Sequence, residues 1–163
     1  MWVKDYMNKK LNTITKDKTL AEAVKLMVEQ EVNSLIVVEE NKPIGLVTSQ
    51  ILIQTIMPEY LNTDLNAAQF ETEGVFDRYA AKNRDKKVSD FMYTDFHIIS
   101  EKDTMIEAAA FLAKGERRTL PVVDNGGVLV GVITRTCVKI ALYDVLFKET
   151  KENSRKKEEN ASL

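Results

Sequence analysis

A mixed α/β (α+β) fold of two pseudo-symmetric β-α-β-β-α repeats packed sheet to sheet is what this sequence predicts, and three observations carry the prediction. A block of residues recurs at a nearly constant offset. Each copy alternates short β-rich runs with helical spacing of apolar residues. The 163 residues suit two small halves sharing a core, whereas neither half is large enough to bury its sheet alone.

The repeat opens at Val3-Lys4-Asp5-Tyr6-Met7, which returns as Val88-Ser89-Asp90-Phe91-Met92, an offset of 88 minus 3, or 85 residues. Thr19-Leu20-Ala21-Glu22-Ala23 faces Thr104-Met105-Ile106-Glu107-Ala108 at the same offset, as Leu35-Ile36-Val37-Val38 faces Leu120-Pro121-Val122-Val123. Gly45-Leu46-Val47-Thr48 then matches Gly131-Val132-Ile133-Thr134 one residue later, because Asn125-Gly126-Gly127 makes a looser turn. A turn is where a fold tolerates an extra residue.

Within each copy, a short apolar run at 11–14 or 98–99 predicts a first strand. A Thr-x-x-Glu capping box then starts a helix at Leu20 or Met105, the hydroxyl taking one orphan amide and the carboxylate another. Leu20, Ala23, Val24, Met27 and Val28 give the first helix a buried face, Met105, Ala108, Ala109 and Leu112 give the second its own, and Gly115 ends the second. Two β-rich runs joined by a turn predict a hairpin at 35–47 and again at 120–133. A last helix is expected near 50–57 and near 136–147.

These elements divide the chain into a first repeat at 1–57, a partly ordered linker at 58–86, a second repeat at 87–147 and a charged tail at 148–163. In the linker Phe70, Phe76, Tyr79 and Ala80 are apolar enough to dock on the body, although Gly74 breaks any single helix through them. The tail reads as a solvated or disordered end, the alternative being a tether for a partner.

Composition narrows the function. With 44% hydrophobic and 29% charged residues and a net charge of -2, the chain has no general electrostatic reason to bind nucleic acid or an anionic membrane. No apolar run approaches the length of a membrane span, and no signal peptide is evident at the start. The lone Cys137 fits a reducing compartment, so a cytoplasmic location is expected. One histidine and one cysteine, with no Gly-rich phosphate loop and no zinc spacing, leave an enzyme without a basis.

Four marks occur twice and in order: Val-x-Asp-x-Met, Thr-x-x-Glu-Ala, the β-run of the Leu120-Pro121-Val122-Val123-Asp124 type, and Gly-apolar-apolar-Thr. Together they resemble the cystathionine-β-synthase (CBS) domain pair, or Bateman module, over residues 2–147. The resemblance implies a regulatory module that binds an adenine nucleotide (AMP, ADP or ATP), S-adenosylmethionine or a cyclic dinucleotide in the cleft between repeats, and that controls an unidentified partner protein or forms a homodimer. It implies ligand contacts before the first strand at Asn12 and His97, before the second at Asn33, Ser34, Arg118 and Thr119, and around the Gly-x-x-Thr turn at Leu46, Thr48, Val132 and Thr134.

Simple chemistry agrees with that placement. Thr48 and Thr134 stand at helix starts, where backbone amides and the dipole favour a phosphate, and Arg135 and Arg118 add positive charge to the second site. The alternative is that these hydroxyls cap their helices. His97 is either a ligand contact or a surface residue, and Cys137 either a redox-sensitive thiol or a small buried hydrophobe. Met7, Met27, Met92 and Met105 recur in step with the repeat and read as core.

One departure from the family pattern stands out. Family members that bind adenosine carry an Asp three residues after the Thr or Ser, accepting hydrogen bonds from both ribose hydroxyls; here Ile51 and Cys137 stand there. A hydrogen bond to a charged group contributes roughly 1.5 to 3 kcal/mol, so the missing clamp weakens a nucleoside by roughly tenfold to a hundredfold. A dimerising scaffold with clefts that no longer bind nucleotide is therefore the alternative reading.

Overall fold

In the computed structural model, which describes residues 1–115 and 118–147, the elements begin with α1 (Val3–Tyr6), β1 (Thr13–Ile14), α2 (Leu20–Glu29), β2 (Ser34–Glu39), β3 (Lys42–Thr48) and α3 (Ser49–Ile56). They continue with α4 (Glu59–Thr63), a 3-10 segment (Leu65–Phe70), α5 (Val75–Asn83), α6 (Val88–Phe91) and β4 (Ile99–Ser100). Last come α7 (Met105–Lys114), β5 (Thr119–Val123), β6 (Leu129–Thr134) and a helix over residues 135–147, α8. The tail at 148–163 and residues 116 and 117 lie outside the described residues.

The predicted β-α-β-β-α order is present twice. Each copy makes a three-stranded sheet in which the first strand is parallel to the second and the second antiparallel to the third. Local chemistry sets the elements as expected. Thr19 accepts from the Glu22 amide at 3.2 Å while the Glu22 carboxylate accepts from the Thr19 amide at 2.8 Å. That second bond, above all, holds the Glu22 carboxyl below its usual pKa. Thr104 likewise accepts from the Glu107 amide, at 3.4 Å.

The first hairpin turns through Glu40 and Asn41, both at positive φ, and the looser second turn is tied by the Asp124 carboxylate accepting from the amides of Gly126 and Val128.

The chain forms two compact units that are not cut where the motifs repeat. One is Leu11–His97; the other joins Met1–Lys10 to the chain from Ile98 onward. Each unit is a repeat body carrying the opening segment of the other repeat. Val88 and Phe91 are buried in one cluster with Ile14, Leu35, Val37 and Val47, and Val3 is buried in the other with Ile99, Leu120, Val122 and Ile133. Backbone pairing fastens both segments. Tyr93 and Leu46 exchange hydrogen bonds of 2.8 and 2.9 Å, and Asn8 and Val132 exchange two of 2.9 Å.

Two glycines make this approach feasible. A Cβ on Gly131 would lie 2.6 Å from Met7 Sδ and 3.2 Å from the Asn8 carbonyl; on Gly45 it would lie 2.8 Å from Met92 Sδ and 3.0 Å from the Tyr93 carbonyl. Met7 and Met92 are thus half-buried plugs over glycines, while Met27 and Met105 are buried in the clusters as expected. Either Gly→Ala change should cost about 1 to 3 kcal/mol in urea unfolding. Adding Met7→Ala to Gly131→Ala should recover only part of that loss, because the Asn8 carbonyl remains in the way.

Two expectations about apolar residues need correction. Phe70 and Phe76 do not dock but are 85% and 64% exposed, and Leu61 and Val75 are the buried anchors of the linker. On α5 the inward positions run Val75, Tyr79, Asn83 at intervals of one helical turn, which turns Phe76 outward. On α2 the buried stripe is Leu20, Ala23 and Met27, leaving Val24 and Val28 exposed on its flank.

Candidate functional site

The third strand of each sheet runs directly into a helix, and this junction gathers most of the predicted site residues. In the Leu11–His97 unit, Ser34 pairs with Thr48 and Ile36 with Leu46, and the Ile36 amide donates to the Asn12 carbonyl at 2.9 Å. Asn12, Asn33, Ser34 and Thr48 therefore meet where β2 begins and β3 ends. In the other unit Thr119 pairs with Thr134 and Pro121 with Val132, and exposed Arg118 immediately precedes β5. His97 is exposed and is the last residue of the unit that contains Asn12.

The helix starts are less open than their sequence suggests. Thr48 caps α3, its Oγ1 accepting from the Ile51 amide at 3.2 Å, and the Ser49 amide donates to the Asn33 carbonyl at 3.1 Å. Two amides of the first turn are thus already satisfied, which reduces the pull on an anion that free amides exert. Thr134 Oγ1 lies 3.4 Å from Cys137 Sγ.

Leu46 and Val132 exchange backbone hydrogen bonds with Tyr93 and Asn8, so the amide of each is already engaged. Leu46 is buried, and Val132 is half-buried.

Arg135 has a different employment from the one expected. Its Nη2 donates to the carbonyls of Gly115 at 2.9 Å and Leu112 at 3.4 Å. The guanidinium thus closes the C-terminal end of α7, where carbonyls lack helical partners and the dipole is negative. Arg118 is left as the predicted cation of that unit with no such role described. Sequence reasoning missed the capping because the carbonyls Arg135 meets are some twenty residues away along the chain.

The two positions that lack the family's Asp are absorbed into apolar packing. Ile51 packs against the cluster of the Leu11–His97 unit, and Cys137 is buried in the other cluster with Ile133, Leu112 and Ala141. A thiol so enclosed is not the exposed group that redox sensing needs, so the hydrophobe reading of Cys137 holds. Among the described residues no helix is long and apolar enough to cross a membrane.

Known proteins align with this architecture. The CBS domain profile matches residues 3–57 and 88–144, together more than half of the chain. CBS domain-containing protein CBSX1, chloroplastic, from Arabidopsis thaliana is 30% identical over 148 residues, covering 82% of this chain and 60% of that protein. The choline transport ATP-binding protein OpuBA of Bacillus subtilis (strain 168) is 26% identical over 92% of this chain but only 33% of its own length. The chain therefore spans less than two thirds of either relative.

Among solved structures, the crystal structure of the CBS-pair protein CBSX2 from Arabidopsis thaliana superposes with a TM-score of 0.72 at 26% identity, covering 88% of this chain and 95% of that one. The crystal structure of CBSX2 in complex with AMP gives a TM-score of 0.67 at 26% identity, over 88% and 97% of the two chains.

Proposed function

The chain belongs to the CBS-domain family, and from that premise we propose that it is a regulatory module that binds an adenine nucleotide or related anionic small molecule, controls a partner protein or its own dimerisation, and has no catalysis of its own. The observation that carries this reading is the meeting of polar residues at a strand-to-helix junction in each unit. Asn12, Ser34 and Thr48 supply it in one, and Thr119 and Thr134 in the other, with the exposed Arg118 cation beside them. The similar protein CBSX2 crystallised with AMP supports the ligand class.

A second reading has its own observation. Ile51 and Cys137 are packed in apolar clusters, Arg135 is engaged with a helix end and Thr48 with the Ile51 amide. A homodimerising scaffold without nucleotide binding needs nothing more from these residues.

Native mass spectrometry with AMP, ADP, ATP, S-adenosylmethionine and cyclic di-AMP separates the two. On the sensor reading one of these adds its mass, and Arg118→Ala weakens it about tenfold. A dimer that takes up none of them supports the scaffold.

A further inference from the structure

The linker lies wholly within the Leu11–His97 unit and outside both stretches that match the CBS profile, and its surface is patterned. No Lys, Arg or His occurs from Pro43 to Asp77, while Glu59, Asp64, Glu71, Glu73 and Asp77 place five carboxylates in the later part of that stretch. The whole chain carries only -2, so its negative charge is concentrated here. Among the described residues none of the five enters an ion pair.

Large apolar side chains stand out from the same stretch, each next to an acid in sequence: Tyr60 after Glu59, Leu65 after Asp64, Phe70 before Glu71 and Phe76 before Asp77. Tyr60 is 46%, Phe76 64%, Leu65 81% and Phe70 85% exposed. Their outward position is held by structure. Buried Leu61 and Val75 anchor the stretch, and α5 packs against α3. The Tyr60 hydroxyl donates to the Glu71 carboxylate, clasping the ends of the loop that carries Leu65 and Phe70. That bond, above all, pushes the Tyr60 phenol up to about 12, so the clasp keeps its proton through the neutral range. The Asp64 carboxylate caps the 3-10 segment by accepting from the Asn66 amide at 3.0 Å. Apolar side chains kept in water gain stability only when a partner buries them, and a surface already ordered loses little freedom on binding.

We propose that residues 59–77 are a docking surface for a cationic amphipathic segment of a partner protein, in which Lys or Arg side chains flank large apolar ones. Charge complementarity selects that occupant. Nucleic acid and anionic lipid are repelled by the carboxylates, and a purely apolar partner would leave those groups desolvated and unpaired. A second copy meeting this face through a two-fold axis would bring the same five carboxylates against it. The inference rests on the regulatory reading for the partner's purpose, whereas the binding itself needs no nucleotide.

The test is a 15N NMR titration of the full chain, free of nucleotide, with a synthetic amphipathic Leu/Lys peptide. A Leu/Glu peptide of the same pattern keeps the apolar face with the wrong charge, and a Ser/Lys peptide keeps the charge alone. The Leu/Lys peptide should shift the amides of Leu65, Phe70, Glu71 and Phe76, with Ser/Lys weaker by about tenfold and Leu/Glu without effect. Phe70→Ser and Phe76→Ser remove exposed side chains and leave the anchors Leu61 and Val75 in place, and each should weaken the Leu/Lys peptide by about tenfold. Glu73→Gln combined with Asp77→Asn should weaken it by about fivefold and reduce its salt dependence. Shifts that are absent from these amides, or unchanged by the two Phe variants, overturn the proposal. So does equal binding of the Leu/Glu peptide, which would mark a plain apolar face. A wild-type dimer that Phe70→Ser dissociates in native mass spectrometry also overturns it, because a second copy would then cover the surface. Nucleotide is absent throughout, so failure of this surface and failure of nucleotide binding read out separately.

Discussion

Val3→Asp is expected to cost about 3 kcal/mol or more and to register far along the chain, in the strands at 99–134 and not in those at 13–48. Val3 is fully buried among Ile99, Leu120, Val122 and Ile133, and an aspartate there must either lose its hydration or pull the opening segment off the sheet. Native-state hydrogen exchange should lose protection at Val122 and Ile133, and the enclosed Cys137 should become reactive to a thiol reagent. Val88→Asp should do the reverse, exposing the amides of Leu35, Val37 and Val47, which share its cluster. If Val3→Asp instead disturbed the strands of its own repeat, the exchange of opening segments between repeat bodies would be refuted.

Restoring the family's aspartate should destabilise the two repeats unequally. Cys137→Asp places a carboxylate in a cluster with Leu112, Ile133 and Ala141, and desolvation should cost about 3 kcal/mol, which the helix N-terminus offsets by less than about 1 kcal/mol. Ile51 is only half-buried, so Ile51→Asp should cost about 1 kcal/mol, the lost packing being partly repaid by the same dipole. Urea unfolding of the two variants checks this difference.

If the Leu11–His97 unit takes a nucleotide at Asn12, Ser34 and Thr48, Ile51→Asp should strengthen AMP about tenfold. It should leave dideoxy-AMP, which lacks both ribose hydroxyls, unchanged. Equal responses of the two nucleotides would mean that the new carboxylate meets no ribose.

The local elements were legible because their causes are local. Thr19 with Glu22, the period of Leu20, Ala23 and Met27, and the turn residues at Glu40 and Asn41 act within a few residues, and the β-α-β-β-α elements predicted for each repeat lie within two residues of their expected bounds, whereas the short helices at 3–6 and 88–91 and those of the linker were not foreseen. The sites were half legible. Register brings Ser34 to Thr48 and Thr119 to Thr134 as the repeat implied. The use of Arg135 as a helix cap and the outward turn of Phe76 depend on partners outside the local chain.

By itself the sequence determined the repeat, the hydrophobic stripes and the positions where the ribose clamp is missing. It was silent on which opening segment serves which sheet, and the reason is physical. Val3 and Val88 are the same residue, Met7 and Met92 are the same residue, and Gly45 and Gly131 present the same bare backbone, so either pairing satisfies the pattern equally well. Only the tertiary structure decides between them, by joining Asn8 to Val132 and Tyr93 to Leu46.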